Sequence, residues 1–173
     1  MDEIVYRGKR YTRSSAKWVN SDYMVVHENL QIELNKEFIK TLDLSEYSVE
    51  ELIEEGDKFK ESATYYSAIK FYEEAMQNCD EEATAYILPR ISSCYRHAHE
   101  PRKAVEMFAL MKKKYGEGFI TPVLLTSVAA AYCDLHEYEN ALRCCRWAYK
   151  RFGGFNANLS AVYGRIKKES GLE

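Results

Sequence analysis

Cys94, His97 and His99 stand close together in the sequence, and Cys133 and His136 form a second such group. Thiolate and imidazole at short spacing are the ligand types of a zinc site. A Cys–His nucleophile would draw on the same residues, but it needs a base oriented by a third group, and the sequence offers no third group. Glu50, Glu51, Glu54 and Glu55 could be read as acid–base carboxylates. They fall in the first turns of a helix, however, where carboxylates offset the positive end of the helix dipole. Lys112, Lys113 and Lys114 close another helix, where cations are favoured for the same reason. Arg7, Lys9, Arg10, Arg13 and Lys17 are interleaved with Tyr6, Tyr11 and Trp18, the composition of an arm whose cations meet phosphates and whose rings stack on bases. No helix-turn-helix, zinc-finger or RNA-recognition motif accompanies that arm, and an isoelectric point near 5.9 fits a dedicated nucleic-acid binder poorly.

The elements that would position these residues follow a repeat. The strings YYSAIKFYEEA, PRKAVEMFALM and YENALRCCRWA align on Ala68, Ala104 and Ala141. Nine residues before each alanine lies an aromatic residue, Phe59, Tyr95 or Tyr132, and twelve before it a small one, Gly56, Ser92 or Ala129. Four residues after come Tyr72, Phe108 and Cys145, and seven after come Ala75, Met111 and Ala148. Two antiparallel helices approach closely where one presents a small side chain and the other a ring that fills the notch. A helix pair leaves an apolar face uncovered, so successive pairs must stack and end in a cap. By the same alignment His99 and His136 are equivalent turn residues between paired helices. That accounts for them without a metal, and no metal, cofactor or catalytic site is expected.

These residues resemble the tetratricopeptide repeat family over about residues 49–153. Leu52, Leu88 and Leu125 stand where that family prefers tryptophan, and Asp80, Gly116 and Gly153 where it places a closing proline. The resemblance implies an all-α, right-handed solenoid of antiparallel helix pairs and a binding groove lined by the first helix of each pair. Carried over position by position, the groove residues are Ile53, Asp57 and Lys60 from the first copy. The second copy supplies Tyr86, Arg90, Ser93 and Arg96, and the third Thr126, Ser127 and Ala130. The carboxylate clamp of some relatives is not reproduced, because Ile53 and Asp57 stand where it needs lysine and asparagine.

Boundary signals agree with the repeat. Ser48 and Glu51 form a capping box, so a first pair is expected over 49–61 and 65–78. Glu100–Pro101 and Thr121–Pro122 start helices with proline at the first position. Gly116 and Gly153 suit left-handed helix ends. Pro89 falls inside a helical pattern, where it removes a hydrogen bond and predicts a bend or a fresh start. Leu159, Val162, Tyr163 and Ile166 mark a cap helix over 157–169. The chain is thus read as a solenoid over 48–173 preceded by a non-repeat region, residues 1–47. In that region Ile4, Tyr6 and Tyr11 flank a hairpin turn at Gly8, and Leu30, Leu34, Phe38 and Leu42 stripe an amphipathic helix over 28–42. Trp18 is expected to anchor this region's packing.

With 173 residues, 46% apolar and 29% charged, and only three prolines, the composition is that of one globular domain rather than a disordered chain. Five cysteines make an odd count without a CxxC pair, which places the protein in a reducing, cytoplasmic setting. No run of eighteen apolar residues occurs and the first twenty residues are cationic, so neither a signal peptide nor a membrane span is expected. Residues 21–82 are strongly acidic and residues 83–173 basic, a polarity that solvated helix faces or a charged partner would both produce. The leading reading is a non-catalytic adaptor that holds a segment of another protein in the groove. A nucleic-acid-associated regulator using the basic arm and basic C-terminal helices is the second, and a scaffold that self-associates through its ends is the third.

Overall fold

The computed structural model describes residues 2–14, 17–154 and 156–171. Its first turn is made by Arg7 and Gly8, with φ of 49° and 76°. Positive φ at both central residues gives a two-residue turn the twist that a hairpin needs. Strands β1 (Glu3–Tyr6) and β2 (Lys9–Ser14) accordingly pair antiparallel with Tyr6 opposite Lys9. A third strand, β3 (Lys17–Val19), extends the expected hairpin to a meander of order β1-β2-β3. Three residues are too few to show an alternating pattern, so this strand was silent in the sequence.

Helix α1 (Glu28–Lys40) closes on the meander, burying Leu34 and Phe38 against Tyr11 and Trp18. It stops two residues short of the expected end, where the Thr41 hydroxyl donates to the Phe38 carbonyl. Trp18 is wholly buried, and its indole N–H donates to Asn35 Oδ1 at 2.6 Å. Gln31 accepts from the Trp18 amide and donates to the Trp18 carbonyl, so its side chain pairs with β3 as a strand residue would. Removing this ring from the core would cost roughly 3–5 kcal/mol.

After a single 3₁₀ turn come α2 (Val49–Glu61), opened by the Ser48–Glu51 capping box, and α3 (Tyr65–Asn78). The pair closes as the small–aromatic rule predicts, since a Cβ on Gly56 would lie 2.7 Å from Tyr72 Cε1. Phe59 stacks on Phe71 with ring centroids 5.3 Å apart. The Arg13 guanidinium joins the meander to this pair, lying 4.3 Å from the Phe59 ring centroid and 5.7 Å from that of Phe38. The chain divides into two compact units after Gln77, although the sequence changes character at residue 48.

The second unit holds α4 (Glu81–His97), α5 (Pro101–Tyr115), α6 (Pro122–Asp134), α7 (Tyr138–Phe152) and α8 (Ala157–Ser170). Helix α6 packs against all four of the others, so α4, α6 and α8 form one layer, with α5 and α7 laid on it. The small positions Ser92 and Ala129 and the aligned alanines Ala104 and Ala141 are all fully buried. Helix α4 continues through Pro89 as one 17-residue element, contrary to a fresh start at that residue. Pro89 is buried, as are Ile87, Leu88 and Ile91 in the same turns, so this stretch of helix is fixed by tertiary burial despite the missing donor. Gly153 ends α7 in the expected left-handed conformation, whereas Gly116 ends α5 at φ 73° and ψ −133°, outside that region.

The repeat is clearest in the turns. Ala63, His99 and His136 have φ of 57°, 59° and 59°. The following amides, of Thr64, Glu100 and Glu137, donate back to the carbonyls of Phe59, Tyr95 and Tyr132 at 2.9, 2.8 and 2.9 Å. Each pair therefore ends its first helix with the same Schellman closure, and the two histidines occupy equivalent turn positions.

Candidate functional site

In the first unit, Ile53, Asp57 and Lys60 lie half-buried on α2. Asp57 accepts a hydrogen bond from the Tyr72 hydroxyl at 2.5 Å, so this carboxylate is tied to its own helix pair.

In the second unit the face of α4 and α6 is graded. Tyr86 is 50% exposed, and the Arg90 guanidinium lies 3.6 Å from its ring centroid while donating to the Tyr86 carbonyl. Ser93, Thr126 and Ser127 are half-buried. Thr126 spends its hydroxyl on the Pro122 carbonyl. Ala130 is buried, so it shapes the layer rather than offering surface. Val123, absent from the sequence-derived set, is 59% exposed and stands in the third copy where Tyr86 stands in the second. The same offset in the repeat would have found it.

Towards the turns, charge is locked across three helices. Arg96 on α4 donates Nε to Asp134 Oδ2, and Arg165 on α8 donates to Asp134 Oδ1, both at 2.5 Å. Arg165 also donates Nε to Glu169, whose other oxygen accepts from Cys133 Sγ. Burial pushes the Asp134 carboxyl up, but hydrogen bonds and charge from the two arginines outweigh it and hold the group below its ordinary range. The Arg165 hydrogen bond likewise lowers Glu169. Only Arg96 of this ladder was among the sequence-derived groove residues. Its partners lie 38 and 69 residues further along the chain, and no local pattern links them.

The residues with chemical promise elsewhere are occupied. Burial raises the thiols of Cys133 and Cys145 to about 11 and that of Cys144 to about 12, far from the range of a nucleophile. Among the described residues no group of three or more His, Cys, Asp or Glu side chains is placed to hold a metal ion. In the N-terminal arm, Arg7 pairs with Glu33, Arg10 with Glu3 and Arg13 with Asp2. The Arg13 side chain is only 8% exposed, which removes it from any contact with nucleic acid. Lys112 pairs with Glu117 and lies over the Trp147 ring. No helix of the described chain is long and apolar enough to cross a membrane.

No protein-family model and no curated protein sequence matches the chain. Solved structures do. The tetratricopeptide domain of Sgt2 from Aspergillus fumigatus superposes with a TM-score of 0.61 at 16% identity, covering 71% of this chain and 79% of that one. The fold is that of a tetratricopeptide-repeat domain. The Arabidopsis OM64 tetratricopeptide domain superposes at 0.58 and 15% identity, covering 70% of this chain and 96% of its own. The Hsp90 co-chaperone Cns1 from Saccharomyces cerevisiae gives 0.62 at 13% identity over 76% of this chain and 42% of that one. The tetratricopeptide fold thus rests on three kinds of agreement: the aligned alanines, the thrice-repeated turn closure and these superpositions.

Proposed function

We propose that the protein is a non-catalytic, cytoplasmic interaction module that holds a segment of another protein along the α4–α6 face. The observation that carries this reading is the exposed strip formed by Tyr86 and Val123, equivalent positions on neighbouring first helices, with Arg90 stacked on the tyrosine. Tyrosine and arginine are the side chains most often found at the energetic centre of interfaces, because they bring large area with a polar handle. The half-buried hydroxyls of Ser93 and Ser127 supply adaptable polar contacts beside them. An extended or helical segment with apolar residues and an acidic residue opposite Arg90 matches this face. The kind of partner has support from the co-chaperone among the superposed structures.

The test is capture of binding proteins by the full chain against the same chain carrying Tyr86→Ala and Arg90→Glu. Loss of specific partners with the helical fold intact supports the reading. An unchanged set of partners contradicts it.

A further inference from the structure

We propose that the open basin beside the Arg96–Asp134–Arg165 ladder is an anion site that receives a phosphate monoester, presented as a phosphorylated side chain of the bound protein segment. The second clause rests on the protein-binding reading, whereas the anion site itself rests only on the residues around it. The basin has a volume of about 520 Å³ and is lined by Arg96, His97, His99, Asp134, His136 and Arg165. Its nitrogen-bearing side chains come from three separate places: the end of α4 with its turn, the α6–α7 turn, and α8.

The ladder leaves donors unspent. Arg96 uses Nε on Asp134, and Arg165 uses Nε on Glu169 and Nη1 on Asp134. Among the described residues, Nη1 and Nη2 of Arg96 and Nη2 of Arg165 take no partner. The carboxylates therefore fix the guanidinium planes without consuming them, the arrangement in which an arginine can still pair bidentately with an incoming oxyanion. Asp134 and Glu169 cancel the two guanidinium charges, so the seat does not repel other cations of the protein. His99 and His136 line the same basin, His136 with its Nδ1 already on the Tyr138 hydroxyl, so that His136 Nε2 and the His99 ring are the additional donors beside the guanidinium edges. A phosphate monoester offers three terminal oxygens to donors arriving from three directions, whereas a planar carboxylate offers two. A nucleic-acid backbone would need a row of cations, and this cluster is a single seat.

The experiment titrates the full chain with inorganic phosphate and follows the Arg96 and Arg165 side-chain Nε resonances and the His99 and His136 amides by NMR. Acetate at matched ionic strength is the control. Saturable shifts confined to these groups are expected, with a dissociation constant on the order of 1 mM, and acetate should bind several-fold more weakly. Arg96→Gln should abolish saturation. Because that change also cuts a tie to Asp134, His99→Asn is the second variant. Asparagine accepts the positive φ of this turn, so the fold is kept while affinity falls several-fold. N-acetyl-phosphoserine amide should match or exceed phosphate, and its failure alongside phosphate binding would overturn the side-chain assignment. Shifts that never saturate, or that are equally large at Lys112 to Lys114, would overturn the site. A short single-stranded oligonucleotide binding here more tightly than the phosphoserine probe would assign the seat to nucleic acid instead. None of these readings depends on Tyr86 or Arg90, so loss of the anion site and loss of the α4–α6 partner face are separately visible.

Discussion

Arg96 and Asp134, 38 residues apart, meet at 2.5 Å and join the first helices of two successive repeats, and Arg165 meets the same carboxylate from the capping helix. Both acidic members of the ladder titrate below their ordinary values of 3.8 for aspartate and 4.5 for glutamate. A carboxyl depressed by folding contributes stability that is fully present above its ordinary value and is lost as pH falls through the depressed one. Thermal unfolding between pH 5 and pH 3 should therefore show a steep loss of stability. Asp134→Asn should cost about 1 kcal/mol near neutral pH, as expected for half-exposed pairs, and should flatten that acid dependence. An unaltered acid profile in the variant would show that the ladder contributes nothing.

Gly56 and Ser92 occupy the same repeat position and should respond in opposite directions to alanine. At Gly56 the new methyl would lie against the Tyr72 ring, so Gly56→Ala should destabilise by about 1–3 kcal/mol. At Ser92 a methyl-sized side chain is already accommodated, and its hydroxyl is buried without a partner. Ser92→Ala should then leave stability unchanged or raise it by about 1 kcal/mol. Urea denaturation of the two variants measures both.

Arg13 should behave as a core residue. Its guanidinium lies against Phe59 and Phe38 and its Nε is buried without a hydrogen bond. Arg13→Ala should destabilise the protein by about 1–3 kcal/mol through lost ring contact and the freed Asp2. Arg13→Met, which restores apolar volume, should recover part of that loss. If Arg13→Ala left stability untouched but abolished a salt-dependent association with nucleic acid, the N-terminal arm would be a binding element after all.

Thiol labelling separates the cysteines. Cys94, Cys133, Cys144 and Cys145 are buried, and burial has raised the last three to about 11 or 12, so they should resist alkylation in the folded protein at pH 8. Cys79 is only partly buried and should react first. Mass spectrometry after brief labelling, with and without denaturant, reads the order.

The helix pairs were legible because small and aromatic residues recur at fixed offsets that two packed helices impose on any sequence. The turn equivalence of His99 and His136 followed from the same alignment. Strand β3 was not legible, since Lys17–Val19 is held by Gln31 and by Arg13 across the sheet rather than by any pattern of its own. At Pro89 the local rule counts the lost hydrogen bond and allows either a bend or a fresh start, and α4 runs through the proline as one helix, which removes the fresh start. On the α4 face the offsets pointed to Tyr86 and Arg90, but they could not reveal that Arg96 is anchored through Nε to Asp134 or that Asp57 accepts from Tyr72. Pairings between distant residues depend on the assembled fold.

The most direct test of the partner face places a photoreactive amino acid singly at Tyr86, Val123, Leu110 and Tyr149 in the full-length protein. All four positions are well exposed, but the first two lie on α4 and α6 and the last two on α5 and α7. A shared protein partner should crosslink at Tyr86 and Val123 and not at Leu110 or Tyr149. Crosslinking confined to the α5 and α7 positions would contradict the account.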